Sequence, residues 1–203
     1  CSSLPELLLA DMSGIKGEDI ILTSNDTPAD EFQKAIDLGA VINLDDITHI
    51  EYLEKNVRLP EFISFRYNPG PLLESSNTII GKPEEAKYGL TREQLFEAYK
   101  IVKEKGVKRF GLHTMVISNE LNADCFIATA QMMFELAVEL KQQLDIDLEF
   151  VNLGGGVGIP YTPEQEEVDL EYVGAGIQKV YQNTIEKNNL KPLKIAMDLG
   201  RSI

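Results

Sequence analysis

Cysteine is scarce in this sequence. Cys1 and Cys125 are the two in 203 residues, too few and too far apart for a disulfide framework or a metal-ligand spacing. Such usage fits a reducing cytoplasm. Basic residues are in short supply as well: 19 Lys and Arg stand against 33 Asp and Glu, a formal net charge of −14. Nucleic acid and anionic membrane both need basic surface, so neither is expected as a partner, and the acidity reads as a solvated exterior. No apolar run reaches the length of a membrane span, and the first residues lack the basic-then-apolar order of a secretion signal. Neither G-x-x-x-x-G-K-[ST] nor a G-x-G-x-x-G at a strand–helix junction is present, which turns the reading away from nucleotides.

What remains is an ordinary globular composition, 43% hydrophobic and 26% charged, long enough for one domain with a real core. Short β-like runs alternate with amphipathic helices. The β runs are Ile20–Thr23, Ala40–Leu44, Phe62–Tyr67, Arg109–Val116, Leu148–Leu153 and Lys194–Asp198. They are continuous rather than alternating, as expected of strands covered on both faces. Between them, Thr27 and Pro28 predict an N-cap and a first helical residue, with Asp30 at the third position and Phe32, Ala35 and Ile36 on one face. Thr91 with Gln94 predicts a capping box. Asp46–Glu54, Asn122–Gln142 and Leu170–Lys187 read as further helices, and His49 as plain surface. This order implies a parallel sheet. An open doubly wound sheet and a (β/α)8 barrel both satisfy it. The longest loop runs from Asn68 to Thr91, with Pro69, Pro71 and Pro83; loops of that length are usually functional or inserted.

Three stretches carry chemistry. Asn152 to Tyr161 reads NLGGGVGIPY and follows a buried strand. Consecutive glycines let main-chain N–H groups converge on an anion. A tight turn also uses glycine, but three in a row exceed what one turn needs. Asp198-Leu199-Gly200-Arg201 ends the last strand, with an arginine suited to phosphate; alone, such a pair is more often a surface ion pair. Within Arg109 to Asn119, His113 is either a satisfied core histidine or a site residue.

Taken in order, seven pieces resemble the fold-type III pyridoxal-phosphate (PLP) decarboxylases. They are Cys1-Ser2-Ser3 with Glu6; Asn43 with Asp45; Arg66, Asn68, Pro69 and Gly70; Lys87-Tyr88-Gly89; Gly111-Leu112-His113; Leu153 to Tyr161; and Gly200-Arg201-Ser202. The diaminopimelate branch is the most similar, with alanine racemase a more distant barrel relative. The resemblance implies an α/β fold of the (β/α)8 TIM-barrel, alanine racemase-like kind. It also implies that residues 1–203 form a partial PLP-binding barrel domain, incomplete at both ends.

The resemblance implies roles as well. Gly154, Gly155, Gly156 and Ser118 meet the cofactor phosphate, as does Arg201. Asp198, where the family has glutamate, pairs with the pyridine nitrogen. Glu6, Arg66 and His113 are catalytic. Met115 stands where the family's second histidine stacks on the ring, and Ile117 replaces a glycine; a thioether can pack on an aromatic ring. No metal is implied. The implied activity is decarboxylation of meso-diaminopimelate to L-lysine and CO2 by a cytoplasmic homodimer. Alternatives are another diamino acid (ornithine, D-lysine or carboxynorspermidine) or a non-catalytic phosphate-binding barrel. The family's cofactor-anchoring lysine precedes the Cys1-Ser2-Ser3 segment and its C-terminal β-domain follows the barrel, so this chain alone is expected to be inactive.

Overall fold

The computed structural model describes residues 1–70 and 88–201. Most of the long loop, with Pro71, Pro83 and Lys87, and also Ser202, lies outside the described residues. Among the described residues, six strands form one sheet in the order β1-β2-β3-β4-β5-β6: Ile21–Thr23, Val41–Leu44, Phe62–Tyr67, Arg109–Thr114, Leu148–Gly155 and Lys194–Asp198. A doubly wound sheet reverses its strand order at a switch point. This sheet never does, which selects the (β/α)8 barrel type, here as an incomplete array. The pairs β1–β2, β2–β3 and β5–β6 are parallel.

The chain divides into two compact units, Cys1–Tyr67 with Lys87–Leu112, and Asn68–Ala86 with His113–Ile203. The first carries helices α1 (Leu4–Met12), α2 (Ala29–Asp37), α3 (Thr48–Asn56) and α4 (Arg92–Glu104). Its core contains Leu22, Ile42, Leu44, Ile63 and Phe65 from the strands and Leu7, Phe32, Leu53, Leu95 and Tyr99 from the helices, each at most 2% exposed. Tyr99 packs edge-on against Phe65 and Phe110, and its hydroxyl donates to the Gly111 carbonyl at 2.5 Å. A buried phenol with its one proton placed in this way supplies apolar area without an orphaned donor.

The predicted capping box of α4 is present: Thr91 Oγ1 accepts from the Gln94 N–H and Gln94 Oε1 from the Thr91 N–H. The start of α2 differs from expectation. Pro28, with ψ 160°, is itself the N-cap, Asp30 is at the second helical position, and no side chain caps the helix. The Thr27 hydroxyl is buried instead. His49 is not plain surface either. It is half-buried, with its ring 6.2 Å from that of Phe32, because α3 packs beside α2.

The second unit holds α5 (Ala123–Leu144), α6 (Leu170–Tyr181), the end of β4, and β5 and β6. Along α5, Phe126, Ala130, Met133, Phe134, Ala137 and Leu140 form the buried stripe. α5 packs on α6 and on β5. The helix predicted over Leu170–Lys187 is α-helical to Tyr181 and then widens to a π-helical turn over Gln182–Glu186. Two strand limits also move. β4 stops at Thr114 rather than Val116, and β5 runs on through Gly154 and Gly155.

Candidate functional site

β5 and β6 pair in register from Phe150↔Lys194 to Asn152↔Ala196, and the register then slips so that Gly155 faces Asp198. That slip brings the last residues of both strands together. It depends on glycine. A Cβ added to Gly155 would sit 1.9 Å from the Asp198 carbonyl oxygen; one on Gly154 would lie 2.3 Å from the Thr114 oxygen, and one on Gly156 2.2 Å from the Ile117 oxygen. Gly154 and Gly156 also have φ of 75° and 85°, where a side chain is strained. The run therefore lets three stretches of main chain close up around β5.

Two N–H groups of this turn are in use. The Gly154 N–H donates to Asn152 Oδ1 at 2.9 Å, and the Gly155 N–H to Met115 Sδ at 3.4 Å. Beyond them the turn is tied to the loop after β4, with Glu120 N–H donating to the Gly156 carbonyl and Gly158 N–H to the Glu120 carbonyl, both at 2.8 Å. Gly156 packs beside Ser118, whose Cα would lie 3.1 Å from an added Cβ.

Asp198 closes β6 with its side chain 57% exposed. Two buried groups hold it. His113 Nε2 lies 3.7 Å from Oδ2, and Asn152 Nδ2 donates to Oδ1 at 3.3 Å. The contact with His113 is the main cause that holds this carboxyl below its ordinary range, and Asn152 acts in the same direction; partial burial opposes both. His113 is thus a core histidine with a carboxylate partner, which joins the two readings that the sequence leaves open. Arg201, in the turn after β6, donates to the Tyr161 hydroxyl. An open, ionised carboxylate, an arginine three residues further on and a turn stripped of side chains suit a small planar ligand with a protonatable ring nitrogen and an anionic group.

The Asp198 contacts have a measurable signature. A carboxyl whose folded pKa lies below its unfolded value contributes stability above about the ordinary 3.8, and that contribution is lost as pH falls through the folded value. The urea midpoint of the wild type is therefore expected to exceed that of Asp198→Asn at neutral pH. The gap should narrow progressively as the pH is taken down below the ordinary carboxylate range; a gap that does not change with pH would contradict this linkage. The effect is small, because the side chain is more than half exposed.

Glu6 and Arg66 lie in the first unit. Glu6, exposed in the first turn of α1, accepts from the Ser2 N–H and hydroxyl, and the main-chain bond lowers its pKa. Arg66 is mostly buried at the end of β3, with Nε 2.5 Å from Asp45 Oδ1 and its guanidinium 4.6 Å from the centre of the Tyr88 ring. Burial pushes the Asp45 carboxyl up, and Arg66 counteracts this. Sequence reasoning missed three of these partners: Asn152, the Asp45–Arg66 pair and Tyr161 on Arg201. Asp45 and Arg66 each stand in a piece of the family resemblance, but their pairing follows from the register of β2 and β3, Asn43↔Ser64, which the sequence does not show. Among the described residues no cluster suits a metal ion, and no helix is long and apolar enough to cross a membrane.

A profile of the family described as "Pyridoxal-dependent decarboxylase, pyridoxal binding domain" matches residues 1–203. Protein TabA of Pseudomonas amygdali pv. tabaci is 32% identical over all of this chain and 47% of its own length. A diaminopimelate decarboxylase of Methanothermobacter thermautotrophicus is 28% identical over 98% of the chain and 46% of its own. The crystal structure of the diaminopimelate decarboxylase of M. jannaschii superposes with a TM-score of 0.86 at 23% identity, over 98% of this chain and 46% of that one; at that identity the likeness establishes the fold. The chain thus spans about half the length of the relatives it matches. With the profile covering every residue and the parallel array in place, the chain belongs to the pyridoxal-dependent decarboxylases and carries sequence of their pyridoxal binding domain.

Proposed function

We propose that this chain is the PLP-binding part of an enzyme that decarboxylates meso-diaminopimelate to L-lysine. The observation that carries the reading is Asp198, a carboxylate kept ionised yet open at the end of β6. Bound PLP supplies an electron sink for the pair left at the α-carbon when CO2 departs. This chain's residues do the holding. Asp198 would accept from a protonated ring nitrogen, with His113 and Asn152 on its two oxygens. Arg201 and Ser118 would hold the phosphate together with the turn Gly154-Gly155-Gly156. A thioether is a weak acceptor, so the Gly155 N–H, on Met115 Sδ in the free chain, would be open to a stronger anionic acceptor. Met115 would supply a thioether against an aromatic ring. Glu6 and Arg66, in the first unit, are proposed as catalytic groups from the resemblance alone, Arg66 being held by Asp45.

Support for the substrate comes from the diaminopimelate decarboxylases among the relatives. The relatives also include an L-glutamyl-[BtrI acyl-carrier protein] decarboxylase, so named substrates differ among them; the second reading keeps the decarboxylation and takes another diamino acid. The reading includes a cytoplasmic homodimer that completes its site with sequence outside this chain, and the isolated chain is expected to be inactive. The test is CO2 release by the full-length protein carrying this chain, loaded with PLP. Release from meso-diaminopimelate with lysine as co-product supports the first reading. Release from ornithine or another diamino acid alone moves the assignment to the second, and none from any amino acid despite bound PLP rejects both.

A further inference from the structure

Asn152 belongs to no motif that the family resemblance singles out, yet it joins the two halves of the site. It is 4% exposed, on β5 two residues before the positive-φ Gly154. Its amide is used at both ends: Oδ1 accepts from the Gly154 N–H at 2.9 Å, and Nδ2 donates to Asp198 Oδ1 at 3.3 Å. These bonds fix the amide's orientation, since a flip would set its oxygen against a carboxylate and its NH2 against an N–H. His113 takes the other Asp198 oxygen.

We infer that Asn152 is a positioning residue for the cofactor's ring nitrogen: it holds Asp198 in place and in charge, and ties that carboxylate to the glycine turn. This rests on the reading of Asp198 as the ring-nitrogen partner. The residue must be a neutral amide. Aspartate has the same shape, but it would place a second carboxylate about 3 Å from Asp198, and two carboxylates at that range do not both stay ionised. Nor would it donate to Asp198. Serine is too short to span the gap between the two partners.

The test compares two cofactors in the full-length apoprotein: PLP and its deaza analogue, in which carbon replaces the ring nitrogen. Affinities are read by fluorescence titration. The wild type is expected to bind PLP about tenfold more tightly than the analogue, the scale of one hydrogen bond to a charged group. In Asn152→Asp that preference should fall to near unity, and in Asn152→Ser to an intermediate value, with analogue binding little changed. A loss of affinity equal for both cofactors would assign Asn152 a structural role only and overturn the inference. A wild type without any preference for the ring nitrogen would instead reject the role of Asp198 on which it rests. Should Asn152→Asp fail to fold by circular dichroism, Asn152→Ser decides by the same ratio.

Discussion

In the PLP-loaded full-length protein, Asp198→Asn is expected to lower kcat for CO2 release by about 10²–10³-fold, with a much smaller loss of cofactor affinity. The amide keeps the size of the side chain but has one acceptor oxygen in place of two, so it keeps one of the contacts with Asn152 and His113. It also loses the charge. A neutral partner no longer favours the proton on the ring nitrogen, and an unprotonated ring is a poorer electron sink. Affinity suffers less because the phosphate contacts proposed for Arg201 and the glycine turn are untouched. Steady-state CO2 release and a PLP titration on the same preparation separate the two quantities. An unchanged kcat would remove Asp198 from the chemistry and leave it an ion-pair partner of His113.

The second large effect concerns Gly155. Gly155→Ala is expected to destabilise the fold by about 3 kcal/mol, read as a lower urea midpoint with an unchanged slope. The new methyl group would meet the main-chain oxygen of Asp198 at 1.9 Å, so β5 and β6 must separate where they pair. No rotamer relieves this, because a Cβ has none. Gly200→Ala is the natural control, since a Cβ there meets nothing within 4 Å. Equal stability of Gly155→Ala and Gly200→Ala would show that the two strand ends are not in close contact. The glycines thus have a structural duty besides any ligand: the protein's own carbonyls already fill the space that their side chains would occupy.

Much of this architecture is legible in the sequence. The bounds of β3 and β6 coincide with those expected, since turn residues flank both apolar runs. β4 is read too long because Met115 and Val116 continue its apolar character, although the chain has left the strand by then. β5 is read too short for the opposite reason: glycine is a poor strand former, and Gly154 and Gly155 stay in the ladder through the close approach of neighbouring backbone. The helix α1 escapes notice because Leu8, Leu9 and Met12 are exposed apolar residues, which blur the amphipathic stripe. Single site residues such as Asp198 and His113 can be picked out by type and position. Asn152 cannot, since its role depends on the register between β5 and β6, which no local pattern records.

The uninterrupted strand order also bears on how the chain finds this structure. Ile21 pairs with Val41 and Ile42 with Ile63, so each of these closures spans only some twenty residues and loses little chain entropy for a parallel sheet. Strands can dock one after another as the polypeptide leaves the ribosome, N-terminal first. β5 and β6 make the longest of these registered closures, from Phe150 to Lys194, and they come last. The carboxylate, the amide and the glycine turn therefore form only once the earlier strands are available as a template, and a nascent chain stalled before residue 194 has no Asp198 to complete them.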